Sequence, residues 1–188
     1  MDAMPTIREL MCPIDEFPKV TEQTFFFDII MALEKARWDY RAELSRQTVL
    51  LVEDEDKHIV GKISPRNVIR SLEPQYDKIN SFNDDIRFGL PQVVESMRKD
   101  YFLWQEPFSN LCDKAWKIKA SDIYSKPGPT QSVNIDERIE NAFHLFVTTR
   151  HEYLYVIENE RIAGLLKFND IYKFVCKKIY QCERKSYF

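Results

Sequence analysis

The chain has 188 residues, of which 44% are hydrophobic and 30% are charged. This length suits one ordinary domain or two small ones with a shared core, and the apolar content lets a chain fold without a partner yet is too low for a membrane protein. The formal net charge of −3 provides no general attraction to nucleic acid or anionic lipid. We therefore expect a soluble globular protein whose partners are neither nucleic acid nor a membrane.

The N-terminal segment does not have the pattern of a secretory signal peptide. Residues 1–11 include Arg8 and Glu9 and contain no long apolar run. The most apolar run of the chain, residues 25–33, is interrupted by Asp28 and is too short to span a bilayer. These features predict a cytoplasmic protein.

The first part of the chain has the pattern of a β-α-β-β-α unit. Val20 marks a short first strand, and four apolar residues at i, i+3, i+4 and i+7 predict the buried face of a helix. Residues 49–52 predict a buried strand, residues 53–58 a charged turn, and a last helix is expected to begin near Pro65. The residues of the helical stripe are Phe26, Ile29, Ile30 and Leu33.

The middle of the chain is too long for a bare loop, and its apolar residues are periodic. Pro91 and Pro107 are each placed to begin a helix, so we predict a helical insert of two helices. The insert either covers the rest of the module or provides a dimer or partner surface, with Trp104 and Trp116 as anchors.

The second part of the chain repeats the order of the first. Val133, a helical stripe, a strand at 154–157, a turn at 158–161 and a helix from Phe168 follow one another as their counterparts do. The stripe consists of Ile139, Ala142, Phe143 and Phe146. Residues 59–69 read IVGKISPRNVI and residues 162–172 read IAGLLKFNDIY, which aligns Gly61 with Gly164. We predict a first repeat at 1–72, a helical insert at 73–117, and a second repeat with a C-terminal helix at 118–188.

These runs resemble tandem cystathionine β-synthase (CBS) domains, whose pairs are called Bateman modules. Residues 6–11 (TIRELM) and 119–124 (KASDIY) are similar to the opening strand of the family. The apolar strand, the charged turn and the run Gly-hydrophobic-hydrophobic-[Ser/Thr]-x-x-Asp-hydrophobic are similar to its closing part. The chain most resembles stand-alone bacterial proteins of this kind that carry a helical insert between the repeats.

The resemblance implies a fold and a function. The fold is α/β (α+β), with two β-α-β-β-α CBS repeats forming a pair of approximate two-fold symmetry. The function is that of a regulatory, non-catalytic module that binds AMP, ADP, ATP or S-adenosylmethionine in the cleft between the repeats, forms a homodimer, and acts on an unidentified regulated protein. The alternative is an interaction or dimerisation protein whose clefts are vestigial.

The family motif indicates which residues contact the ligand. Its Asp binds the ribose hydroxyls, and the Ser/Thr three residues earlier helps to hold the phosphate. Asp170 stands at the ribose position of the second repeat, where Lys167 replaces the Ser/Thr and offers a mobile positive charge to phosphate. The first repeat keeps Ser64 but has Asn67 in place of the Asp, and a neutral amide loses charge-assisted binding to the hydroxyls. We expect the second repeat to bind ribose better.

Four further residues are ligand candidates under the same resemblance. Arg46, Arg66 and His151 fall near positions where basic residues meet phosphate in some members, and ordinary solvated surface is their alternative. Tyr124 borders a loop expected at the base and could stack on it, with packing as its alternative.

The sequence lacks the patterns of an enzyme or a metal site. It contains three histidines but neither a nucleophile elbow nor a His-Glu-x-x-His pair, and its four cysteines include no Cys-x-x-Cys pair. The cysteines are expected to be structural, buried thiols. The lysines in and after the last helix match the dipole of that helix, which favours a solvated face over nucleic-acid binding. We predict no catalysis and no metal.

Overall fold

The structure is a computed structural model that describes residues 4–41, 47–72, 111–149 and 151–185. A short 3-10 helix, Ile14–Glu16, follows the first strand. In chain order the other elements are α1 (Ile7–Leu10), β1 (Cys12–Pro13), β2 (Lys19–Thr21), α2 (Phe26–Arg41), β3 (Leu50–Glu53), β4 (Ile59–Ile63), α3 (Pro65–Ser71), α4 (Leu111–Ala115), α5 (Ala120–Ile123), β5 (Ser132–Asn134), α6 (Ile139–Thr149), β6 (Tyr153–Glu158), β7 (Arg161–Lys167) and α7 (Phe168–Lys185).

The element order confirms the internal repeat and the mixed α/β class. The first repeat runs β2-α2-β3-β4-α3, and the second runs β5-α6-β6-β7-α7. Contacts divide the chain into two units. The second-repeat unit comprises Met1–Pro18, Glu53–Gly61 and Lys126–Phe188, and the first-repeat unit comprises Lys19–Val52 and Lys62–Ser125.

The second-repeat unit contains a four-stranded sheet in the order β1-β7-β6-β5. Strand β5 is parallel to β6, since α6 provides the crossover that a parallel pair requires, whereas β7 is antiparallel to both β6 and β1. Strands β6 and β7 are joined through Asn159 and Glu160, whose φ angles are 48° and 63°. Two successive positive φ angles turn the chain with the twist of the sheet.

The core of the second-repeat unit confirms most of the predicted helical stripe. Ile139, Ala142 and Phe146 of α6 are buried with Leu154, Val156 and Leu166 of the sheet. The prediction is wrong for Phe143, which is 48% exposed. Residues 139, 142 and 146 already form the inward face of α6, so Phe143 falls at its edge.

The first repeat contains α2 and a three-stranded sheet in the order β2-β3-β4. Phe26, Ile29 and Leu33 are buried as predicted, and Ile30 is half-buried. Residues 50–52 are buried without alternation, as expected of a strand covered on both faces. Helix α3 begins at Pro65, which suits the first helical position because its missing N–H needs no partner there.

The two opening segments are short helices, so their prediction as strands is wrong. In α1, the Thr6 N–H donates to Glu9 Oε2 at 2.9 Å and the Glu9 N–H donates to Thr6 Oγ1 at 3.4 Å. In α5, the Lys119 N–H donates to Asp122 Oδ2 at 2.9 Å. These local bonds satisfy the first amides of a helix and favour helix over strand.

Each opening segment belongs to the unit of the other repeat. Strand β1 precedes the first repeat in the chain, yet Cys12 pairs with Leu165 of β7. Ser125 precedes the second repeat, yet its N–H donates to the Lys62 carbonyl at 2.9 Å and the Lys62 N–H donates to the Ser125 carbonyl at 3.1 Å. The repeats therefore exchange their opening segments. The linear boundaries at 1–72, 73–117 and 118–188 stay a prediction.

Several predictions concern the insert and the cysteines. The helix starts at Pro91 and Pro107 and the side chain of Trp104 lie outside the described residues, while α4 falls within the predicted insert. Cys12 is buried, but Cys112 is exposed at the surface of α4, contrary to the expectation of buried thiols. No helix among the described residues is long and apolar enough to cross a membrane.

Candidate functional site

Four of the predicted ligand residues lie at the start of the last helix of a repeat, two at α3 and two at α7. Lys167 ends β7 immediately before α7, and Asp170 is the third residue of that helix. Ser64 caps α3, and Asn67 is the third residue of α3. The pair Lys167 and Asp170 thus corresponds in position to the pair Ser64 and Asn67, as the motif predicts.

The structure brings Lys167 and Asp170 together in the second-repeat unit. Lys167 Nζ lies 3.7 Å from Asp170 Oδ2, and the two side chains are 12% and 24% exposed. A carboxylate in the first turn of a helix is stabilised by the helix dipole, and the ammonium group offsets the cost of its partial burial. The pair offers a charged hydrogen-bond acceptor beside a cation, both partly open to solvent.

Ser64 and Asn67 make a different arrangement in the first-repeat unit. Asn67 Oδ1 accepts from the Ser64 backbone N–H at 2.9 Å and from the Ser64 hydroxyl at 2.6 Å. This is a capping box in which the amide closes the start of α3. The chemistry of the two helix starts therefore differs, because one presents a charge pair and the other an amide bonded to its own cap.

The other ligand candidates are placed separately. The Tyr124 hydroxyl donates to Glu22 Oε1 at 2.9 Å within the first-repeat unit, an arrangement in keeping with its packing alternative. Arg66 is the exposed second residue of α3, and His151 is half-buried just before β6 in the second-repeat unit. Arg46 lies outside the described residues. The ligand contacts of these four residues stay predictions.

Arg8 has a role that the sequence pattern does not indicate. Its Nη2 donates to Glu158 Oε1 at 2.6 Å and lies 3.7 Å from Asp136 Oδ1, so α1 is tied to the end of β6 and to the turn after β5. The hydrogen bond with Glu158 and the charge of that carboxylate raise the pKa of the Arg8 guanidinium. Pairing between residues so far apart in the chain leaves no local signal.

Among the described residues, exposed large apolar side chains recur on α2 in the first-repeat unit and on α6 and α7 in the second-repeat unit. The α2 patch consists of Phe27, Met31, Trp38 and Trp116. Its two tryptophans are 71% and 68% exposed, and the rings of Phe27 and Trp116 are 4.9 Å apart between centroids. The α6–α7 patch consists of Phe143, Val147, Tyr172, Ile179 and Tyr180. A hydrogen bond with the Cys176 side chain raises the pKa of Tyr172. Of all these residues, only Trp116 was predicted to be a surface anchor.

Comparisons with known proteins now connect this geometry to a family. The family model described as CBS domain matches residues 120–177. A search of curated proteins found no relative with significant similarity. In the described part of the chain, no three His, Cys, Asp or Glu residues are grouped to bind a metal ion.

Solved structures match nearly the whole chain. CBSX2 in complex with AMP is 17% identical with a TM-score of 0.58, and the match covers 93% of this chain and 98% of that one. CBS-pair protein CBSX2 from Arabidopsis thaliana is 15% identical with a TM-score of 0.57, covering 95% and 99%. A CBS domain-containing protein of unknown function from Bacillus anthracis str. Ames Ancestor is 14% identical with a TM-score of 0.59, covering 93% and 95%. At these identities the likeness establishes the fold alone, which is that of a CBS pair, and within it residues 120–177 match the CBS domain.

Proposed function

We propose that the protein is a non-catalytic regulatory module that binds an adenine nucleotide at the start of α7. The ribose binds to Asp170 and the phosphates lie near Lys167. The observation that carries the proposal is the partly buried pair of these side chains, with 3.7 Å between Nζ and Oδ2. The AMP complex of the similar CBSX2 supports an adenine nucleotide as the class of ligand.

The charges of the pair match the two ends of a nucleotide. A carboxylate accepts hydrogen bonds from the two ribose hydroxyls, and each such charge-assisted bond contributes roughly 1.5 to 3 kcal/mol. The Lys167 ammonium sits on a flexible stem, so it can turn toward a phosphate and remain near Asp170. A ligand that carries both hydroxyls and phosphate uses both groups, whereas adenosine uses only the carboxylate.

Nucleotide binding is expected to act by changing the relative populations of two conformations of the module. A nucleotide that favours one packing of the module shifts the protein toward it and alters its contacts with itself or with an unidentified regulated protein. The size of that shift is limited by the difference in affinity between the two conformations.

Calorimetry with AMP, ADP, ATP, adenosine and S-adenosylmethionine tests the proposal. Asp170→Ala should weaken nucleotide binding by about thirty- to a thousandfold, equivalent to about 2 to 4 kcal/mol. Glu140→Ala is the matched control, because it removes an exposed first-turn carboxylate from α6 in the same unit. If Asp170→Ala binds as tightly as the parent, the site is not at Asp170.

The contribution of Lys167 is tested with the same ligands. Lys167→Ala should weaken ATP binding more than adenosine binding, and the loss should shrink at high salt because screening weakens the phosphate contact. Lys173→Ala is its control, since Lys173 is exposed on the same helix. Equal losses for ATP and adenosine would place the phosphates elsewhere.

A second candidate function is that of an interaction or dimerisation protein with vestigial clefts. The α2 patch favours it, because two tryptophans, a methionine and a phenylalanine are more apolar surface than a monomer needs to expose. We also propose a homodimer on this ground, since a two-fold contact covers one patch with its copy. A stable dimer that none of the five ligands stabilises against heat would favour this second function.

A further inference from the structure

We propose that the contact between Lys167 and Asp170 makes the site selective for nucleosides with a phosphate on the 5′ carbon, and that it disfavours adenosine and S-adenosylmethionine. This role of Lys167 rests on the proposed function at Asp170. It adds a contact that opposes binding to the contact that attracts phosphate. The family motif has an uncharged Ser or Thr where this chain has Lys167, so the selectivity belongs to this chain.

The ammonium group of Lys167 lies beside the carboxylate proposed to hold the ribose. Lys167 Nζ is 3.7 Å from Asp170 Oδ2, and the two side chains are only 12% and 24% exposed. Water and salt screen a partly buried charge pair much less than an exposed one. The contact is therefore a real competitor for any other group that approaches Oδ2.

A ribose has to approach the same carboxylate. Its two neighbouring hydroxyls donate to the two carboxylate oxygens, and one of these is the oxygen that faces the ammonium group. The ammonium has to give way, and a partly buried cation that loses its contact with a carboxylate raises the free energy of the complex. The 5′ group of adenosine is a neutral hydroxyl, so adenosine brings no anion to replace the carboxylate.

A 5′-phosphate does bring such an anion. The four-carbon stem of lysine is flexible, so the ammonium can turn from Asp170 to the phosphate as the ribose takes its place. The exchange ends in a charge-assisted contact, which is stronger than a contact between neutral groups. S-adenosylmethionine instead carries a positive sulfonium on its 5′ carbon, and the ammonium repels that charge.

Removal of the Lys167 charge should therefore act in opposite directions on different ligands. Phosphorylated nucleosides lose an attractive contact, whereas adenosine and S-adenosylmethionine lose an opposing one. A lysine that only attracted phosphate would leave the affinity for adenosine unchanged. The sign of the change for adenosine is thus the measurement that identifies the competing contact.

The experiment is titration calorimetry of the full chain with AMP, ATP, adenosine and S-adenosylmethionine. Lys167→Met removes the charge and keeps an apolar stem. It should weaken AMP and ATP binding at least about tenfold. It should tighten adenosine binding by about two- to fivefold, the effect of removing a modest ion pair, and should tighten S-adenosylmethionine binding as well.

Three further variants complete the design. Lys173→Met is the matched control, because it removes an exposed lysine from the same helix, and it should leave all four affinities unchanged. Lys167→Arg keeps the charge and should keep AMP binding tighter than adenosine binding. Lys167→Gln is a second neutral variant, used to repeat the measurement if Lys167→Met has a lowered melting temperature.

The outcomes separate the selectivity from the proposed function. If the neutral variants bind adenosine no more tightly than the parent, while Asp170→Ala loses AMP binding, the competing contact is refuted and the ribose site stands. If the parent binds adenosine or S-adenosylmethionine as tightly as AMP, the selectivity is refuted. A parent that binds none of the four ligands would refute both the proposed function and this role of Lys167.

Discussion

Replacing Gly164 by alanine should force β1 away from β7. Gly164 pairs with Pro13, and a Cβ at this position would lie 2.3 Å from the Cys12 carbonyl oxygen and 3.1 Å from its carbonyl carbon. Both contacts are with backbone atoms, so no side-chain rotation can relieve them. One of the two strands has to move, and β1 has only two residues to hold it in place.

The expected cost is about 3 kcal/mol, the upper end of the usual range for overpacking, because the backbone itself is displaced. In a protein of this size, that lowers the melting temperature by roughly 6 to 12 °C, which circular dichroism measures directly. Gly128→Ala is the matched control, since a Cβ at Gly128 meets nothing within 4 Å. It should leave the melting temperature unchanged or slightly higher. Equal melting temperatures for Gly164→Ala and the parent would refute the close packing of β1 on β7.

Three further predictions concern the turn, the ligand and the assembly. Glu160→Gly should raise the free energy of unfolding by about 0.5 to 1 kcal/mol, because the φ of Glu160 is 63°, in the left-handed region that glycine adopts without strain. Glu152→Gly is the control and should not raise it, because Glu152 lies outside that region. AMP or ATP at a hundred times its dissociation constant should add about 2.7 kcal/mol of stability, seen as a higher melting temperature, and no shift with either would contradict the proposed function. Sedimentation should show a dimer at tens of micromolar protein. The double variant Met31→Ser and Trp38→Ser should weaken the dimer, whereas Tyr180→Ser, in the α6–α7 patch, should leave it unchanged. A parent protein that is strictly monomeric would refute the homodimer proposal.

The fold could be predicted from the sequence where burial imposes a period. Apolar residues recur at helical spacing in α2 and α6, and the uninterrupted apolar runs at β3 and β6 are buried strands. Because both repeats carry the same order of patterns, the β-α-β-β-α organisation follows from the sequence. Phe143 is the exception, since periodicity identifies the inward face but not where that face ends.

The opening segments could not be predicted in the same way. Ile7 and Ile123 are buried, which is compatible with a strand or a helix in so short a segment. The choice depends on side chains that cap the first turn, such as Glu9 and Asp122. The exchange of these segments has no local signal, because Cys12 and Leu165 are paired only by the tertiary fold.

The candidate site was predictable to the extent that it is local. Lys167 and Asp170 are three residues apart at a helix start, which places the two charges near each other once the helix forms. The orientation of the Asn67 amide is different, because it depends on the Ser64 N–H and hydroxyl both donating to Asn67 Oδ1 and not to another acceptor. A motif alone reports an amide at that position, and only the hydrogen bonds show which of its atoms is left for a ligand.

The exchanged opening segment also connects the start of the chain to the proposed ligand site. Ile7 is fully buried in the core of the second-repeat unit, and β1 pairs with β7 at Leu165 and Gly164. Two residues beyond that pairing, β7 ends at Lys167. When β1 is forced away at Gly164, β7 loses the strand that pairs with it there, and the backbone that positions the ammonium group is held less firmly. Gly164→Ala should accordingly weaken ATP binding even well below its melting temperature, whereas Gly128→Ala should bind ATP as the parent does. Unchanged ATP affinity in a destabilised Gly164→Ala protein would show that β1 supports the fold without supporting the site.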